Sequence, residues 1–287
     1  MSNILCIYHG NCADGFGAAW SVRHALGDAV EFHAGVYQQP PPDVTGRRVV
    51  MVDFSYKRPV LEEMAKVAQS ILILDHHKSA AEDLAGYPEP PTDLEGHAGW
   101  IPDSGVYATF DMERSGAAIA WDHFNVTERP LLINHIEDRD LWRFNLPGTR
   151  EIQACVFSHP YDFELWSRLM ASDLGDLRRE GEAIERKHHK DIAELLSVCE
   201  REMNIAGYTV PAASLPYTLS SDAGHAMSKG SALFAACYWD TPEGRTFSLR
   251  SAEDGMDVSE IAKQFGGGGH KHAAGFSVPR DHELAVA

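Results

Sequence analysis

Ser70-Ile71-Leu72-Ile73-Leu74-Asp75-His76-His77 is an apolar run of strand-forming residues that ends abruptly in one carboxylate and two imidazoles. Two other runs are built the same way. Ile4-Leu5-Cys6-Ile7-Tyr8 opens into His9-Gly10-Asn11-Cys12-Ala13-Asp14-Gly15, and Arg48-Val49-Val50-Met51-Val52 closes on Asp53. Residues 30–36 read as a further strand. Helical spacing fills the intervals. One helix is expected over 16–26. In a second, over 59–69, Leu61, Met64, Ala65 and Ala68 share a face and Pro59 suits the first turn. Strands alternating with helices predict an α/β fold with a largely parallel sheet, covered on both faces. In such a sheet the C-terminal strand ends line one edge, and ligands bind there. His9, Asp14, Asp53, Asp75, His76 and His77 are therefore expected to meet.

The rest of the chain reads as supporting helices and a second domain. Residues 86–102 are rich in Pro, Gly and acids and predict a long surface loop. Helices are expected over 115–124 and 130–135, followed by the acidic pair Asp138 and Asp140. Residues 173–203 are charged, lack Pro and carry apolar residues near helical spacing, which predicts a long connector helix. The domain reading is then 1–172, a connector over 173–203, and a smaller α/β domain over 204–287. Strand-like runs at 232–239 and 245–250 flank a turn at Thr241-Pro242-Glu243-Gly244. Asp257-Val258-Ser259-Glu260 has the form of a capping box and starts a short helix that stops at Gly266-Gly267-Gly268-Gly269-His270. Successive glycines let backbone N–H groups converge on an anion, with His270, Lys271 and Arg250 as cationic company.

Composition narrows the partners. The 287 residues hold 25 Lys and Arg against 42 Asp and Glu, a net charge of -17. A surface of that sign repels long polyanions, yet a metal-loaded site still admits a small phosphate. No apolar run reaches the roughly 18 residues of a membrane span, and the start lacks the basic and apolar regions of a secretory signal. Five cysteines suggest no disulfide framework, so a cytoplasmic, reducing location is expected. Cys6, Cys155, Cys199 and Cys237 lie in or beside apolar runs and read as core thiols. Cys12 sits inside the site loop, and three roles stay open for it: soft metal ligand, redox liability, or small residue shaping the turn. His188-His189 reads as the solvated face of a charged helix. Trp20, Trp121 and Phe124 read as core. Imidazole and carboxylate donors together suit Mn²⁺, Fe²⁺, Zn²⁺ or Mg²⁺, and a bridging carboxylate suits a pair of ions about 4 Å apart, a standard device for phosphate-ester hydrolysis.

Asp75-His76-His77 taken with Gly267-Gly268-Gly269-His270 strongly resembles the DHH–DHHA1 phosphoesterases, which include RecJ-type exonucleases and oligoribonucleases acting on short RNA and 3′-phosphoadenosine 5′-phosphate. The resemblance runs from the strand before His9 to Ala273-Ala274-Gly275. It implies Mn²⁺, with two ions and with Mg²⁺ or another divalent metal as the alternative. It implies metal ligands at His9, Asp14, Asp53, His76 and Asp138, with Asp53 bridging and Asp140 the competing choice to Asp138. Catalytic roles fall to Asp53, His76 and His77, and substrate binding to Arg250, Gly267, Gly268, Gly269 and His270. The implied substrate is a short single-stranded oligonucleotide or a small nucleotide, hydrolysed to mononucleotides. No membrane and no obligatory protein partner are implied, and a homodimer is compatible. A cyclic-dinucleotide phosphodiesterase and a non-catalytic nucleotide-binding protein are the rival readings. One departure stands out: many members carry Asp-x-Asp in the first motif, and here Cys12 occupies the first of those positions.

Overall fold

A computed structural model of the chain describes residues 3–91, 99–230 and 233–286. They form two compact units, 1–185 and 186–287. No helix among the described residues is long and apolar enough to cross a membrane.

The first unit is the expected parallel α/β layer. It runs β1 (Ile4–His9), α1 (Ala13–Leu26), β2 (Val30–Gly35), β3 (Arg48–Val52), α2 (Arg58–Val67), β4 (Ser70–Asp75), α3 (Lys78–Asp83) and β5 (Gly105–Phe110). Five further helices follow: α4 (Gly116–Phe124), α5 (Leu131–Asp140), α6 (Thr149–Phe157), α7 (Phe163–Met170) and α8 (Leu174–Cys199). The boundary between the two units falls inside α8. The five strands are all parallel, in the order β2-β1-β3-β4-β5. Side chains alternate across the sheet. Cys6, Val50, Val52, Leu72 and Leu74 enter one core with α1, α4 and α5, while Leu5, Ile7, Val49, Met51, Ile71 and Ile73 enter another with α2. Burial on both faces explains why these strands read as continuous apolar runs rather than alternating ones. The strand order reverses between β1 and β3, and that switch point opens a crevice at the strands' C-terminal ends.

The second unit is an α/β domain around a mixed six-stranded sheet, ordered β10-β11-β9-β8-β7-β6. Its elements are β6 (Glu200–Ile205), β7 (Tyr208–Ser214), α9 (Ser220–Met227), β8 (Ala235–Asp240), β9 (Gly244–Arg250), α10 (Val258–Lys263), β10 (Gly268–His270), β11 (Ala273–Pro279) and α11 (Glu283–Val286). Phe234, Ala236, Phe247 and Leu249 pack with α10, while Ala213, Ala235 and Cys237 pack with α9 on the other face. Asp257 caps α10 by accepting from the Ser259 N–H at 3.0 Å. Glu260 pairs with Lys263 at 2.7 Å.

One local reading changes, and another goes partly untested. Residues 200–203, read as the end of the long helix, begin β6 instead. Much of the expected surface loop, residues 92–98, lies outside the described residues.

Candidate metal centre

The site is assembled from three strand ends and two helix ends. His9 closes β1, Asp53 follows β3, and Asp75-His76-His77 ends β4. Asp14 lies in the first turn of α1, and Asp140 is the last residue of α5. Asp53 has a left-handed backbone, φ 53°, and its N–H donates to the Leu74 carbonyl at 3.0 Å. That turn points its carboxylate inward.

Asp53 is the hub. His76 Nε2 lies 3.0 Å from Asp53 Oδ1, 3.6 Å from Asp14 Oδ2 and 3.5 Å from Asp140 Oδ2. His9 Nδ1 lies 3.4 Å from Asp53 Oδ2, and neither of those buried atoms makes a hydrogen bond. Donor atoms of Asp14, Asp53 and His76 fall within 4.8 Å of one another, and so do those of His9, Asp53 and His77. Asp53 is common to both sets, as a bridging carboxylate would be.

Asp14 is fixed by a helix end. Its carboxylate accepts the Gly116 N–H at 2.6 Å and the Ala117 N–H at 2.9 Å, at the N-terminus of α4. Gly116 must be small, because a Cβ there would lie 2.4 Å from the Asp53 Cβ. Asp75 supports the motif rather than facing the cluster. It accepts the His76 N–H at 2.7 Å and holds His77 Nδ1 at 2.7 Å, which fixes that ring's tautomer and orientation. Tyr37 packs edge-on to His9 and His77, with ring centroids 5.2 and 6.0 Å away.

Asp138 is not in the cluster, which corrects the choice between the two acids of α5. Its carboxylate accepts from the Asn145 N–H (2.7 Å), the Leu146 N–H (3.0 Å) and Thr149 Oγ1 (2.6 Å). Residues two apart on a helix project about 200° from each other, so Asp138 and Asp140 cannot both face one site. Asp140 is the one beside His76.

The electrostatics call for cations. Burial, then Asp140 and Asp53, push the Asp14 carboxyl well above the usual carboxylate range. Burial also raises Asp140, with Asp53 adding to the shift against an opposing His76. Burial would raise Asp53 too, but the His76 hydrogen bond and the adjacent His9 imidazole hold it well below the ordinary range. Burial would lower His76, yet Asp53 and the neighbouring carboxylates hold it well above an ordinary imidazole. Burial and the three carboxylates push the Cys12 thiol well up. Two buried carboxylates and the half-buried Asp140 with two imidazoles, and an Asp53 oxygen lacking a hydrogen bond, fit divalent cations.

The second unit holds the other expected residues. Cross-strand register places His270 opposite Ala273, and Ala273 opposite Arg250. Directly opposed residues share a sheet face, so His270 and Arg250 flank one small side chain, two strand spacings or about 10 Å apart. Arg250 donates from Nη2 to Ser221 Oγ at 2.8 Å and from Nη1 to Ser248 Oγ at 3.0 Å. Gly268-Gly269-His270 pair with β11 as a short strand. Gly267 and Gly269 allow close packing: a Cβ would stand 2.1 Å from the Gly275 carbonyl oxygen at the first and 2.6 Å from that of Ala273 at the second. The glycines are thus hairpin residues rather than an open backbone nest. His188, read as solvated, pairs with Asp222 at 3.1 Å.

Sequence reading missed Gly116, Tyr37 and the supporting role of Asp75. Only tertiary packing brings Gly116 and Tyr37 to the site, and neither lies in a motif.

A three-layer α/β unit with carboxylates and imidazoles at its switch point is the class that fold and site define. Comparison with known proteins refines it. Residues 228–287 match the DHHA1 domain family. The chain is 29% identical over 308 residues to "Uncharacterized protein R106" of Acanthamoeba polyphaga mimivirus, covering 95% of this chain and 67% of that protein. Among solved structures, it resembles the DHH domain of a member of the s1p family of ribosomal proteins (TM-score 0.55, 13% identity, 96% of this chain and 82% of that one). It also resembles an exopolyphosphatase-related protein from Bacteroides fragilis (TM-score 0.50, 14% identity, 99% and 88%). Residues 228–287 thus match DHHA1, and the fold is like that of a DHH-domain protein, as the motifs led us to expect.

Proposed function

We propose that this chain is a divalent-metal-dependent phosphoesterase that hydrolyses short oligonucleotides or small nucleotide phosphates and releases mononucleotides. The observation that carries the reading is Asp53, whose carboxylate is shared by two donor sets and keeps one buried oxygen without a hydrogen bond. His9, Asp14, Asp53, His76 and Asp140 would hold the ions, with Mn²⁺ the ion proposed for this mix of imidazole and carboxylate. When bound, such ions supply a water that is acidic enough to react at neutral pH and neutralise charge on phosphoryl oxygens.

The protein's own groups would do the rest. α4 holds Asp14 through two N–H donors, so this ligand arrives without rearrangement. Asp75 fixes His77 through Nδ1, and Nε2 of that ring would meet a phosphoryl oxygen. In the second unit, Arg250 and His270 on one sheet face, with the hairpin of Gly267, Gly268 and Gly269, would hold the nucleotide end. Residues 1–172 would carry the chemistry and 204–287 the substrate.

The test is a substrate panel with Mn²⁺: a linear dinucleotide, its cyclic form, short RNA and DNA, 3′-phosphoadenosine 5′-phosphate and tripolyphosphate. Mononucleotide release from the linear short substrates is the expected result. If every nucleotide in the panel stays intact, the reading fails.

A further inference from the structure

The segment after α5 carries side chains that the proposed chemistry leaves unused. Trp142 and Phe144 both take a left-handed backbone, with φ of 56° and 50°. Bulky residues adopt that conformation only where the surroundings impose it. Here Asp138 imposes it. Its main-chain oxygen accepts from the Arg143 N–H at 2.8 Å and the Phe144 N–H at 3.2 Å, while its carboxylate takes the next two N–H groups.

The two rings meet edge-on, with centroids 4.9 Å apart. Two guanidinium groups lie against them. Arg139 lies 4.4 Å from the Phe157 ring centroid and 5.8 Å from that of Trp142. Arg150 lies 5.4 Å from the Trp142 centroid and 3.7 Å from that of Phe144. The result is a cluster in which Arg139 bridges the Phe157 and Trp142 rings and Arg150 contacts both Trp142 and Phe144. A core cluster would be apolar and buried. This one is cationic and reaches solvent: Phe157 is 42% exposed, and Trp142 and Phe144 are half-buried. Nearby acids temper its charge, Glu185 at 3.8 Å from Arg150 and Glu113 at 3.3 Å from Arg143. Trp142 is two residues beyond Asp140, so their α-carbons lie no more than about 7 Å apart.

We propose that Trp142 and Phe144, flanked by Arg139 and Arg150, form a stacking site for a nucleobase of the substrate beside the metal centre. The inference rests on the phosphoesterase reading and sharpens it. Every base offers a π face to aromatic rings and guanidinium planes, and stacking tolerates any base sequence. Polyphosphate has no such face and gains nothing from the rings. The substrate is then base-containing, not a bare phosphate chain.

The test is calorimetric binding to the full chain with Ca²⁺, using a hydrolysis-resistant phosphorothioate trinucleotide and inorganic tripolyphosphate. Trp142→Ala and Phe144→Ala are each expected to weaken the trinucleotide by about 5- to 150-fold, the equivalent of 1–3 kcal/mol per stacked base. Tripolyphosphate affinity stays at the wild-type level, and Trp142→Phe restores trinucleotide binding. Trp142→Leu, which keeps bulk but lacks the π face, replaces the alanine variant if that one does not fold. The proposal is overturned if wild type does not bind the trinucleotide, if Trp142→Leu binds it as wild type does, or if both ligands weaken equally. The two readings separate cleanly. Stacking-dependent binding without hydrolysis keeps this site and removes the phosphoesterase, whereas hydrolysis with Trp142-independent binding does the reverse.

Discussion

Replacing Gly116 by alanine tests how tightly the centre is built. The added Cβ would lie 2.4 Å from the Asp53 Cβ, 2.9 Å from its Cγ and 2.9 Å from Asp14 Oδ2. Carbon atoms sit comfortably at about 3.5–4.0 Å, so the first contact is more than about 1 Å too close. Asp53 cannot yield easily, because its left-handed backbone is tied to Leu74 by a 3.0 Å hydrogen bond. The N-terminus of α4 must move instead, and it takes the two N–H donors of Asp14 with it. Overpacking of this kind costs about 1–3 kcal/mol. For a chain of this size that lowers the melting temperature by about 2–12 °C. A displacement of about 1 Å at a reacting site costs on the order of 100-fold in rate. Thermal melts, Mn²⁺ titration and dinucleotide hydrolysis on the same preparation read all three. A folded Gly116→Ala protein with wild-type Mn²⁺ affinity and turnover refutes the packing argument.

Other variants separate the roles assigned above. Asp140→Asn should weaken Mn²⁺ binding at least about tenfold. Asp138→Asn should instead cost about 1–3 kcal/mol of stability, because a carboxylate with three donors loses part of its network, and it should leave Mn²⁺ affinity largely intact. Asp53→Ala and His76→Ala should each abolish hydrolysis while circular dichroism stays native. Metal-free stability should fall as pH rises. His76, Asp14 and Asp140 are all raised in the folded state, so their contribution is complete at low pH and lost on the way up. Asp53 is depressed and opposes this only on the acid side, where its contribution is lost as pH falls. Mn²⁺ should cancel the alkaline loss, because it takes neutral imidazole and ionised carboxylate. Melting temperatures across pH, with EDTA or Mn²⁺, measure it.

The parallel sheet was legible because its central strands are buried on both faces and write themselves as unbroken apolar runs, with His9, Asp53 and Asp75 as full stops. The site followed from the same runs, since strand ends of a parallel sheet share an edge. What stayed hidden depends on angle and distance. The helix expected to stop at His135 continues to Asp140, and only that longer helix shows why the two acids face different ways. Likewise Gly116 and Tyr37 reach the centre by tertiary packing alone. β5 escaped notice because Gly105-Val106-Tyr107-Ala108-Thr109-Phe110 is an edge strand with little buried surface. The glycine tract read as an anion nest because consecutive glycines are compatible with either a nest or close strand packing. The pairing with β11 decides for the latter.

The central claim is that Asp53 sits between two cations. Counting Mn²⁺ bound per chain by equilibrium dialysis with metal analysis tests it directly, on wild type and Asp53→Ala. Two ions in wild type and a loss of tight binding in the variant are the predicted result. Wild type that retains no Mn²⁺, or an Asp53→Ala chain that binds as many ions as tightly, would contradict it.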